Sequence, residues 1–151
     1  MVNTQIKRVA GFGVLFALLV VSVGAYTRLA DAGLGCPDWP GCYGFLTVPE
    51  QAEDISLAET RYPDAPVEFV MGWWEMGHRY IAGALLVLVF SMQGMDDRGR
   101  EREDTPLTLA SVLMVIILCQ AAFGAWTVTL KLWPQVVTGH LLGGFTTLSL
   151  I

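Results

Sequence analysis

Four long apolar runs divide this chain, and its polar residues collect between them. The runs cover about Val9 to Tyr26, Phe69 to Met95, Leu107 to Trp126, and residues 135–151. Each approaches the ~20 residues that cross a bilayer core of ~30 Å. The pattern predicts an all-α integral membrane protein, a four-helix transmembrane bundle with a long loop, residues 27–67, between helices 1 and 2. Within that loop, Val48 to Leu57 predicts a short helix with Pro49 in its first turn. The first run follows Lys7 and Arg8 and ends near Gly24-Ala25, as a cleaved signal would. Its apolar stretch exceeds the usual ~7–15 residue core of such signals, so a retained helix is expected. The fourth run reaches Ile151 with no polar flank, which predicts a chain cut inside or near the end of that helix.

Composition agrees with a membrane class. The chain is 54% hydrophobic and 15% charged, whereas a soluble domain is about one quarter charged. A net charge of −5 and the lack of any basic stripe exclude nucleic acid as a partner. Lys7 and Arg8 precede the first run, and Arg98, Arg100 and Arg102 lie in the short second link. Arg28, Arg61 and Lys131 lie on the other side. This bias puts the N-terminus in the cytoplasm and residues 27–67 outside. The expectation is a multi-pass protein of the inner (cytoplasmic) membrane, surrounded by lipid.

Only two histidines occur, His78 and His140, both inside apolar runs. An ionisable group at membrane depth costs several kcal/mol unless it meets a cavity, a partner or a metal. The second and fourth runs both enter from outside, so they are parallel and depths can be compared. Trp74 and Trp133 mark the outer interface. The histidines lie four (74 to 78) and seven (133 to 140) residues further in, or roughly 6–10 Å. Two imidazoles at similar depth can clamp one ligand from both faces. They do not complete a zinc site, which takes three or four protein ligands. Heme fits better, because the porphyrin supplies the remaining nitrogens. Gly77, Gly83, Gly139, Gly143 and Gly144 remove bulk nearby, a pattern that close helix packing also produces.

Glu75 precedes His78 by one helical turn, so both project from one face. Two readings stand: an interfacial pair with Arg79 at i,i+4, or a carboxylate aimed at the cofactor edge for proton transfer or charge stabilisation. Arg79 could instead reach a heme propionate.

In the outer loop, Cys36 and Cys42 enclose two prolines and a glycine. Such a turn brings the thiols into bridging range, and an oxidising compartment favours a disulfide. A bridge that pins the loop and a bridge with a redox role remain equal readings. The acidic residues Glu50, Glu53, Asp54, Glu59 and Asp64 read as a solvated surface, and Cys119 as a buried small hydrophobe.

Three motifs in order resemble those of heme A synthases: residues 27–42 of the outer loop, Glu75-Met76-Gly77-His78-Arg79-Tyr80, and Val137-Thr138-Gly139-His140-Leu141. The resemblance covers nearly the whole chain. It implies one half of an eight-helix protein built from two pseudo-symmetric four-helix halves. It further implies oxidation of a heme O methyl to the formyl of heme A, by way of a hydroxymethyl intermediate, for terminal oxidases. His78 and His140 would flank the iron of substrate heme O, with Glu75 as the carboxylate needed for turnover. Heme b would sit in the other half, and Cys36–Cys42 would match the family's loop disulfide. Heme O synthase and terminal oxidase assembly proteins are the implied partners, and a four-helix member would need an oligomer to complete the unit. Two alternatives compete. A b-type heme electron-transfer module explains the histidines but leaves Glu75 and the cysteines idle. A thiol-disulfide carrier needs a second outer cysteine pair, and residues 126–134 contain none.

Overall fold

The computed structural model describes residues 4–99 and 109–151, with side chains described for 7–94 and 109–151. The described residues form five α-helices: α1 (Thr4–Leu29), α2 (Ala52–Arg61), α3 (Phe69–Gly99), α4 (Leu109–Thr129) and α5 (Pro134–Leu150), with a 3-10 turn at Ala32–Leu34. Among the described residues no β-strand occurs, only a bridge between Cys42 and Phe45. Among the described residues two helices are long and apolar enough to cross a membrane, through Lys7–Leu29 and Leu109–Thr129. The other long helices are α3, which carries Glu75 and Arg79, and the 17-residue α5. The expected basic link falls partly outside the described residues: Arg100 and Arg102 belong there, as does Leu107.

Helix ends follow local chemistry. Lys131 and Leu132 adopt φ of 48° and 58°, and the Leu132 N–H bonds back to the Thr127 carbonyl at 2.7 Å. This left-handed closure stops α4. Pro134 then starts α5, where its missing N–H is no loss. The loop helix differs from the sequence expectation of Val48 to Leu57. Gln51 is its extended N-cap and α2 runs to Arg61. Glu53 and Asp54 open it and Arg61 closes it, which suits the helix dipole. Val48, 1% exposed, is packed into the outer core instead of starting a helix.

The four long helices pack in a cycle: α1 on α3, α3 on α4, α4 on α5, and α5 back on α1. Between α3 and α5 no Cα pair among the described residues comes within 8 Å, so these two helices face each other across the interior. Two apolar clusters result. Ala17, Val20, Leu85, Val89, Leu113 and Ile117 join α1, α3 and α4. Cys36, Cys42, Tyr43, Val48, Ala58 and Met76 hold the outer loop onto the start of α3. Leu15, Val87, Val115 and Leu142, at 60–68% exposed, point outward. Cys119 also points outward, contrary to the buried position expected from its apolar neighbours. It falls on the exposed α4 face that carries Val112, Val115 and Leu118, and in a helix hydrophobic on all sides composition does not reveal the inner face.

Candidate functional site

His78 on α3 rests against α1, and His140 on α5, the helix opposite α3, rests against α4. Each ring lies against a glycine of a neighbouring helix. A Cβ on Gly24 of α1 would stand 2.6 Å from His78 Cε1, and one on Gly124 of α4 would stand 3.4 Å from His140 Cε1. Gly24 and Gly124 stand four residues after Val20 and Gln120, so each ring packs where the helix leaves the carbonyl of that earlier residue uncovered. Nδ1 of both rings is buried without a hydrogen-bond partner. No group of three His, Cys, Asp or Glu side chains among the described residues could hold a metal ion. The donor set is therefore two imidazoles with uncommitted ring nitrogens in a glycine-lined cradle. That fits a heme, which needs only axial ligands, and does not fit a closed zinc site.

One turn outward, Glu75 is 4% exposed. Its Oε2 accepts the Cys36 backbone N–H at 2.8 Å, and its Oε1 pairs with Arg79 Nη2 at 2.5 Å. Arg79 Nη1 donates to the Gly41 carbonyl and to the Pro40 carbonyl at 3.3 Å. The i,i+4 pair read from the sequence is present, but it is buried under the loop instead of sitting in open water. Both residues face the disulfide loop, and the loop itself is tightly braced. Cys36 and Cys42 form a disulfide with Cα atoms 4.8 Å apart. Asp38 accepts the N–H groups of Tyr43 and Gly44 at 2.6 and 2.8 Å, and Gly44 has φ 81°. The Tyr43 hydroxyl donates to the Pro66 carbonyl at 2.8 Å, and burial pushes its phenol pKa upward. The Tyr80 hydroxyl ties Leu46 to α3 at 2.7 Å. Gly35 backs directly onto the Met71 and Gly72 backbone, so close that a Cβ would collide with it.

The family model described as cytochrome oxidase assembly protein, COX15-CtaA, matches residues 7–151. The chain belongs to the COX15-CtaA family. It is 50% identical over 137 residues to a heme A synthase of Shewanella oneidensis, across 91% of this chain and 41% of that protein. It is 26% identical over 126 residues to a heme A synthase of Geobacillus kaustophilus, across 83% of this chain and 34% of that one. A heme A synthase of Geobacillus thermodenitrificans is 25% identical over 128 residues, with 84% and 34% covered. The chain thus spans about two fifths or less of the length of these curated relatives. No solved structure matches it.

Sequence reasoning singled out the histidines of this COX15-CtaA chain but missed the residues they rest on. Gly24 and Gly124 each open the same short pattern, Gly24-Ala25-Tyr26-Thr27 in α1 and Gly124-Ala125-Trp126-Thr127 in α4. Each pattern ends two residues before its helix does, at Leu29 and Thr129. That internal repeat was the available signal. The loop's hold on Glu75 had none, because the Cys36 contact joins positions 39 apart in sequence.

Proposed function

We propose that this chain is the heme O-binding four-helix half of a heme A synthase, the enzyme that oxidises a heme O methyl to the formyl of heme A. The observation that carries this reading is the pair of facing histidines, each with an unbonded buried nitrogen and each cradled by glycine. In this reading the four long helices span the inner (cytoplasmic) membrane with the N-terminus inside and the disulfide loop outside. A second half with its own heme b completes the electron path. His78 and His140 would hold the iron of the substrate heme, and the heme, when bound, would supply the redox chemistry. The protein's part is to hold that ring at fixed depth, exclude water from the bundle and present Glu75 one turn away. Glu75 is the carboxylate required for turnover. Its bonds to Arg79 and the Cys36 N–H fix its direction. Arg79 holds the loop by its carbonyls, and a propionate would share its Nη groups. Heme O synthase and oxidase assembly proteins are the partners this role calls for.

The test is extraction and mass analysis of heme from cells carrying the full-length protein. Glu75→Gln and His78→Ala should leave heme O unconverted, while Glu75→Asp should retain partial conversion. Unchanged heme A in Glu75→Gln would remove Glu75 from the chemistry. One observation favours a second reading, a b-type electron-transfer module: both Glu75 oxygens are already bonded within the protein. A heme that cycles in potentiometry yet leaves unmodified would select it.

A further inference from the structure

We infer that Gly24 and Gly124 are positioning residues for the two histidines, each leaving a backbone carbonyl of its own helix, Val20 or Gln120, uncovered for the imidazole packed against it. The inference rests on the histidine-ligand reading above and extends it to the residues that aim the ligands.

Helical side chains lean back over the preceding turn, so residue i+4 screens the carbonyl of residue i. Val20 and Gly24 stand in that relation, and so do Gln120 and Gly124. Each histidine packs on the glycine of one such pair, His78 on Gly24 and His140 on Gly124. A helical carbonyl engaged with its own i+4 N–H keeps a second lone pair. It can accept from Nδ1–H, the buried ring position that lacks a partner in both histidines. Donation from Nδ1 fixes the tautomer and leaves Nε2 with the free lone pair that an iron requires. The device occurs twice. The α1 and α3 pair and the α4 and α5 pair each combine a Gly-Ala-aromatic-Thr helix end with a Gly-His helix, Gly77-His78 and Gly139-His140.

Close packing alone would also favour glycine, and the two positions separate the explanations. At Gly24 a Cβ would stand 2.6 Å from the ring, so sterics demand glycine there. At Gly124 the distance is 3.4 Å, at the edge of ordinary contact, so a methyl there costs little sterically but sets the ring back from the Gln120 carbonyl by a few tenths of an ångström. A purely steric role makes Gly124→Ala harmless, whereas a carbonyl window makes it disruptive.

The chain has two histidines, so selective isotope labelling of imidazole nitrogen gives one assignable pair of signals from each ring. The experiment uses the full chain, heme-free, in detergent micelles. Both rings should carry the proton on Nδ1 at neutral pH. Gly124→Ala should move the His140 signals alone, Gly24→Ala those of His78, and Gly11→Ala, which meets open space, neither. Titration with iron protoporphyrin should show Gly124→Ala weakened roughly tenfold to a hundredfold. Rings protonated on Nε2 in the parent chain, or His140 signals unmoved by Gly124→Ala, would overturn the inference. The parent measurement needs no variant, so a misfolded Gly24→Ala leaves the question decidable. Undiminished heme affinity in His78→Ala and His140→Ala would instead defeat the ligand reading and leave the ring signals to judge the glycines.

Discussion

Glu75 and His78 stand one turn apart on α3, yet their partners differ in kind. His78 lies against the bare backbone around Gly24, while Glu75 is saturated by the loop and Arg79. Removing one member of a buried charge pair strands the other, at roughly 3–5 kcal/mol. Glu75→Ala should therefore lower the unfolding temperature of the detergent-solubilised protein clearly. Glu75→Gln keeps an acceptor for the Cys36 N–H and should lower it less. Equal melting of parent and Glu75→Ala would show that the pair anchors nothing. The i,i+4 relation of Glu75 and Arg79 was legible in the sequence, because helical spacing is a local rule. Its burial under the disulfide loop was not, because that depends on where a distant segment folds back.

The outer loop is held by its own disulfide and side-chain hydrogen bonds. The Cys36–Cys42 bridge closes a short loop, and such a closure contributes about 2 kcal/mol on a chain-entropy estimate. Reduction, or Cys42→Ser, should raise hydrogen exchange across residues 36–48 while the exchange of α4 stays unchanged. Uniform loosening of all helices would contradict a loop that is stabilised locally. Tyr43 adds a pH signature. Its folded pKa is raised above the ordinary value of 10.0 by burial. That contribution is fully present below pH 10.0 and is lost as pH climbs through the raised value. Thermal melts should thus fall in alkali, and Tyr43→Phe should blunt the fall while losing the bond to Pro66. The sequence foresaw a bridged turn from its prolines and glycine. It placed the loop helix too early, since Pro49 marks the entry to a turn as readily as a helix, and Val48 went to the core. It also misjudged Cys119, whose outward position on α4 no apolar count reveals.

At the scale of the molecule, the cycle α1, α3, α4, α5 sets the histidine helices opposite each other. Hydropathy read the four long segments, but the diagonal placement depends on which faces pair. That choice rests on the glycine cradles and the small buried residues, such as Ala17 at 1% exposure. The proposed orientation predicts that a cysteine introduced at Leu46, 85% exposed in the loop, reacts with an impermeant maleimide from outside the cell. Cys119, facing the apolar surroundings of α4, should react only with a lipid-soluble reagent. A Leu46 cysteine that reacts only after the cells are lysed would invert the topology. The central claim is that His78 and His140 jointly clamp one heme. Its most direct measurement is the absorption spectrum of the heme-loaded full-length protein with this half's histidines replaced singly and together. The account predicts a low-spin six-coordinate heme in the parent, a high-spin fraction in either His78→Ala or His140→Ala, and loss of that heme in the double variant. An unaltered low-spin heme content in the double variant would contradict it.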